Sequence, residues 1–162
     1  MPRAPGIPRN TGETCPSYTC RMPLSNASAP SEWRRFAPDS VERSMLLAMS
    51  DACGAQLRPR TLTLTGGSRV EVEGIDPADR IIAQLVANGG AYKPAYRNKV
   101  MADMFKLLWI RASVSTAERA VLVVTDVVER ALGGWVAVAA ADLGIEVYVF
   151  DGARVEPLRA PS

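Results

Sequence analysis

The run Arg80-Ile-Ile-Ala-Gln84-Leu-Val-Ala87 constrains the fold of this chain more than any other stretch. A short apolar run bounded by turn residues marks a strand covered on both faces. Asp76-Pro77 precedes it and Asn88-Gly89-Gly90 follows it. Such a strand belongs at the centre of a layered fold, with helices packed over the sheet. Gln84 is the one polar side chain inside the run. A buried amide without a partner costs on the order of a few kcal/mol, so Gln84 must meet a hydrogen-bond partner or a ligand.

The remaining elements follow from periodicity and punctuation. Val41, Met45, Ala48, Met49 and Ala52 recur at helical spacing after Pro38-Asp39-Ser40, and Gly54 is the stop. Thr61–Thr65 and Arg69–Glu73 alternate in polarity around Gly66-Gly67, which predicts an antiparallel hairpin. The buried run Arg80–Ala87 is the third strand. A helix is expected from about Pro94 to Arg111, then a buried strand from Ala120 to Val124. Asp126 and Glu129 have capping-box spacing and open a helix running to about Leu143, where Gly144 ends it. Ile145–Phe150 is the last strand expected. The order is α-β-β-β-α-β-α-β. A strand–helix–strand unit after an antiparallel meander implies a mixed central sheet flanked by helices, an α/β (α+β) fold.

At 162 residues and 48% hydrophobic, the chain holds enough apolar material for one domain, expected over residues 31–151. Residues 1–30 carry half of all the prolines and little to bury, and are expected to be a disordered Pro-rich tail. Residues 152–162 are expected to be a loose tail. Histidine is absent, which excludes His-based triads, His-ligated metals and His general bases. Cys15 and Cys20 have no second pair to complete a zinc site, and Cys53 is expected as a buried thiol. No secretory signal follows Met1 and no apolar stretch approaches a membrane span, so a cytoplasmic location away from membranes is expected.

The net charge of +2 is unevenly placed. The helix from Lys93 to Arg111 carries Lys93, Arg97, Lys99, Lys106 and Arg111 against Asp103 alone. Such a face can meet phosphate, and it can equally be a solvated helix surface. Arg97 and Lys106 are the candidate nucleic-acid contacts on it.

Chemistry-bearing residues gather on neighbouring elements. Strand alternation puts Arg69, Glu71 and Glu73 on one face. Gly74 follows Glu73 directly, and a bend there would aim the acid into a cleft. Gln84 is either a satisfied core amide or a neutral oxygen ligand beside Glu73. Lys93, at the mouth of the next helix, and Lys99, inside it, could neutralise charge developing on a phosphate. Glu71 and Glu42 are supporting acids, each with a structural alternative: a solvated strand face for Glu71, and the favourable field of a first helical turn for Glu42. Glu73 and Gln84 are the candidate metal ligands, an oxygen pair of the kind Mg²⁺ accepts but with only one negative charge.

Val-Glu-Val-Glu73-Gly74, the buried strand with Gln84, and the segment from Lys93 to Lys99 resemble the PD-(D/E)XK, restriction-endonuclease-like nuclease superfamily. Tyr96-Arg97-Asn98-Lys99-Val100 through Lys106-Leu107, and Gly134-Trp135 through Leu143-Gly144-Ile145-Glu146-Val147, are similar to its small uncharacterised bacterial members. The resemblance spans Trp33 to Asp151. It implies an Mg²⁺- or Mn²⁺-dependent nuclease acting on phosphodiester bonds, with catalytic residues Glu73, Gln84, Lys93 and Lys99. The chain departs from that pattern at two places. Gln84 stands where the superfamily has a second acid, and Val86 stands where it has a lysine. A catalytically inactive relative that binds nucleic acid or protein is the alternative. A homodimer is compatible with either. A regulatory module with a small-molecule pocket is a third class, but Gly66-Gly67 and Gly89-Gly90 make short turns rather than a phosphate cradle.

Overall fold

A computed structural model describes residues 31–159; the expected Pro-rich tail, with Cys15 and Cys20, lies outside them. A 3₁₀ turn, Ser31–Arg35, leads into α1 (Val41–Cys53). The meander β1 (Arg58–Thr63), β2 (Arg69–Ile75) and β3 (Ile81–Val86) follows. Then come α2 (Ala95–Ser113), β4 (Arg119–Thr125), α3 (Asp126–Glu129), α4 (Trp135–Asp142), β5 (Ile145–Phe150) and β6 (Val155–Pro157). The six strands form one mixed sheet in sequential order. β1, β2 and β3 are antiparallel, β3, β4 and β5 are parallel, and β6 returns antiparallel on β5.

The sheet separates two apolar layers. Ile82 and Val86 of β3 join Val100, Met104, Leu107 and Ile110 of α2 and Val136 and Ala140 of α4. Ile81, Ala83 and Leu85 face the other way, onto Met45, Leu46 and Met49 of α1 and onto Trp33 and Phe36. All six residues of β3 are therefore buried, as the unbroken apolar run requires.

Local chemistry fixes the ends. Ser40 caps α1, its hydroxyl oxygen accepting the Arg43 N–H at 3.2 Å, and Gly54 closes the helix in the left-handed region at φ 64°. The buried side of α1 is Met45, Leu46 and Met49, so the helix is rotated slightly from the expected face and Val41 is exposed. Gly66 and Gly67 both take positive φ at the hairpin tip, where the Gly67 N–H closes a turn on the Leu64 carbonyl at 2.9 Å.

Three expectations are corrected. The single helix from Asp126 to Leu143 is instead α3, a 3₁₀ turn over Arg130–Leu132, and α4, separated by Gly133-Gly134, with Gly134 at φ 66°. Asp126 does not form a capping box: its carboxylate accepts only the adjacent Val127 N–H. The segment expected to be loose beyond Gly152 contains β6, held by a turn in which the Asp151 carboxylate accepts the N–H groups of Ala153 and Arg154, each at 2.9 Å. Cys53 is half-buried rather than buried.

Candidate functional site

The site begins with an irregularity in β2. Val72 and Ile75 are three residues apart, yet both join the apolar layer under α2. Strict alternation cannot do that. The register with β1 shows why: Arg58 opposes Ile75 and Arg60 opposes Val72, so Glu73-Gly74 on β2 spans what Pro59 spans on β1. This is a β-bulge, which bends the strand and re-aims its side chains. Glu71 and Glu73 are therefore not two equivalent positions on one regular face, as expected. Glu71 is 64% exposed and Glu73 only 14%. Gly74 is required at the bulge, because any side chain there would run into Leu46 and come within 3.2 Å of the Ala83 Cβ.

Beyond the bulge β2 and β3 part. They pair only at Gly74–Ala83 and Ile75–Ile82. The Leu85 N–H therefore finds no β2 carbonyl. It donates instead to Oε2 of Glu73 at 2.5 Å. An open cleft of about 390 Å³ lies at this fork, lined by Arg35, Phe36, Glu42, Glu73, Leu85 and Lys99 among others.

Three cations surround the acid. Arg35 bridges both strand carboxylates, with Nη1 3.0 Å from Glu71 and Nη2 3.7 Å from Glu73. Lys99 pairs with Asp103 one turn along α2 at 2.8 Å. Lys106, two turns from Lys99, donates to Oε1 of Gln84 at 3.1 Å. Gln84 is 1% exposed and its Nε2 has no hydrogen-bond partner among the described residues. An ammonium only donates, so Lys106 fixes which end of the amide faces it.

The electrostatics follow from burial. Burial pushes the Glu73 carboxyl above its usual range; the Leu85 N–H, Lys99 and Arg35 oppose that push, and Asp103 adds to it. Burial pulls the Lys106 ammonium below its usual range, with Glu73 and Asp103 opposing and Arg35 and Lys99 assisting. The five charged groups thus sense one another within a single partly desolvated cluster.

Of the expected residues, Glu42, Glu73 and Lys99 meet at the cleft, and Gln84 lies buried beside it. Lys93 is exposed ahead of Pro94 and does not line the cleft. Arg97 sits on another flank of α2, its guanidinium 5.6 Å from the centre of the Trp135 ring. Lys106 is corrected most. Expected as an outward phosphate contact, it turns inward to Gln84. Two participants were not foreseen. Arg35 has no sequence signal, since its role depends on where the 3₁₀ turn docks. Asp103 could have been found from its four-residue spacing to Lys99.

The fit of these side chains to Mg²⁺ or Mn²⁺ is poor. Hard cations need free carboxylate oxygens. Here Oε2 of Glu73 is held by a backbone N–H, its Oε1 faces a guanidinium, and the Gln84 oxygen is capped by an ammonium. Among the described residues no group of three or more Cys, Asp or Glu side chains is arranged to hold a metal ion. Positive charge already sits where a cation would have to enter.

No family model, curated protein or solved structure matches this chain. Among the described residues no helix is long and apolar enough to cross a membrane.

Proposed function

We propose that this protein is a nucleic-acid-binding domain with a restriction-endonuclease-like arrangement of elements, in which fixed positive charge has taken the place of a catalytic metal. The observation that carries this reading is that each candidate ligand oxygen faces one of the protein's own donors: the Leu85 N–H and, at 3.7 Å, the Arg35 guanidinium on Glu73, and Lys106 on Gln84. Arg35, Lys99 and Lys106 stand where a divalent cation would need room, and an anionic backbone could pair with Arg35 and Lys99 in exchange for Glu71 and Asp103. The fork between β2 and β3 supplies the concave surface, and Arg35 and Lys99 line it. The part-exposed Lys99 and Arg97 supply outward charge on α2.

The experiment is a paired measurement on plasmid and oligonucleotide substrates. Binding that weakens steeply with salt, with no cleavage in Mg²⁺ or Mn²⁺, is expected. Lys99→Glu with Arg97→Glu should weaken that binding and flatten its salt dependence. Metal-dependent nicking that disappears in Glu73→Ala would overturn the reading in favour of an active nuclease. A second arm sharpens it. Mg²⁺ or Mn²⁺ should leave the wild-type Tm unchanged and raise that of Gln84→Glu with Lys106→Ala, which frees one site and adds a carboxylate.

A further inference from the structure

The carboxyl ends of β3 and β4, the two central strands, are tied together at one end of the sheet. The Asn88 N–H donates to the Thr125 hydroxyl oxygen at 3.2 Å, and that hydroxyl donates to the Asn88 carbonyl at 3.1 Å. The two segments leaving these strands, one entering α2 and the other leading through Arg130 to α4, therefore run side by side. Their side chains make two groups of contacts. The Arg130 guanidinium lies 5.5 Å from the centre of the Tyr92 ring. Tyr92 and Tyr96 stand 6.2 Å apart with their planes tilted by 48°. Arg97 covers the Trp135 ring at 5.6 Å, and Trp135 is 61% exposed.

Two features separate this surface from an ordinary solvated face. Two of its rings each have a guanidinium near the ring face, and Trp135 leaves apolar area in water while Tyr92 and Tyr96 are half-buried against the core. None of Lys93, Arg97 and Arg130 forms a salt bridge to a carboxylate among the described residues. The cations of the cleft are, by contrast, held in place by Glu73, Asp103 or Gln84. Rings interleaved with cations that lack acid partners match a ligand that carries flat π-faces and negative charge in the same strand. A duplex hides its bases, so the rings would meet them only in a single strand.

We propose that Tyr92, Tyr96, Arg97, Arg130 and Trp135 form a stacking platform for single-stranded nucleic acid, with Lys93 beside it as a backbone contact. The proposal rests on the nucleic-acid reading above and adds the strand form and a second surface. Bases stack on Trp135 and the tyrosines, while the two arginines, already lying over rings, pair with phosphates.

The test uses the full chain with fluorescein-labelled oligo-dT, oligo-U and a duplex of equal length, followed by anisotropy. The single strands should bind more tightly than the duplex. Trp135→Ala should weaken single-strand binding about tenfold or more and change duplex binding little, while Trp135→Phe should retain most of the affinity. Arg97→Gln and Arg130→Gln should each lower the salt slope by about one. Trp135 is exposed, so an unchanged Tm shows that the alanine variant is folded. Single-strand binding that ignores Trp135→Ala but is lost in Lys99→Glu overturns the platform and leaves the cleft reading intact. No binding of any oligonucleotide at low salt overturns both. Self-association abolished by Trp135→Ala, with oligonucleotide affinity unchanged, overturns the platform in favour of an interface between copies.

Discussion

Along its β4 edge, β3 pairs residue for residue from Ile81–Arg119 to Val86–Val124; along its β2 edge, pairing stops after Gly74–Ala83 and Ile75–Ile82. On the β4 side of the closed edge the residues after Arg119 are apolar, with Val121, Leu122, Val123 and Val124 all buried. The open edge holds a bulge, a carboxylate borrowing a backbone N–H, and a buried amide met by an ammonium. One strand thus has a side that only holds the fold and a side where ladder bonds are exchanged for side-chain chemistry. The lesson is that polar side chains enter this core where backbone pairing ends, because the groups released there need partners.

The comparison is tested hardest on the closed side. Leu122→Ala removes a fully buried side chain from the parallel ladder, beside Gln84 on the face covered by α2. It should cost roughly 2–5 kcal/mol in urea unfolding, with little change in nucleic-acid affinity. A cost below about 1 kcal/mol would mean that the closed edge is looser than its pairing implies.

On the open side, the effect should be smaller and partner-dependent. Lys106→Ala strips the Gln84 oxygen of its Lys106 partner and leaves both ends of a buried amide without a partner among the described residues. The expected loss is about 1–3 kcal/mol. Lys106→Met together with Gln84→Leu should recover most of it, because an apolar pair leaves nothing unsatisfied. Strictly additive losses in the two single variants and the double would show that the contact carries no coupling.

These two sides were not equally legible in the sequence. The unbroken run over Ile81–Val86 announced a strand buried on both faces, because periodicity reports burial directly. Ser40, Gly54 and Gly66-Gly67 announced their caps and turn for the same local reason. Glu73-Gly74 was read as a bend, but the bulge depends on register with β1, which one strand alone does not encode. Lys106 sits on the flank of α2 between the core and solvent sides, where helical spacing cannot say which way a long side chain turns. Arg35 reaches Glu73 only through tertiary docking. The helix from Asp126 failed for a reason present in the sequence: Gly133-Gly134 breaks it, and the apolar spacing masked the break.

The finest distinction between the edges is a proton. Glu73 is held above the usual carboxylate range chiefly by burial, despite the Leu85 N–H and the neighbouring cations. In the pH interval from its ordinary value of 4.5 up to that raised value, the folded chain binds more protons than the unfolded chain. Stability contributed by this group is therefore present below the interval and falls as pH rises through it. Glu73→Gln removes the titration while keeping an oxygen for the Leu85 N–H. The variant's Tm should rise relative to wild type as pH is increased from about 4 towards 7, an advantage worth about 1.4 kcal/mol for each pKa unit of displacement. Lys106 works in the opposite sense, since its depressed ammonium adds stability with rising pH, but in the alkaline range near its ordinary value. A difference in Tm between Glu73→Gln and wild type that stays flat across the acidic range would place the carboxylate in water. The fork between β2 and β3 would then be an ordinary frayed edge, with no protected charge inside it.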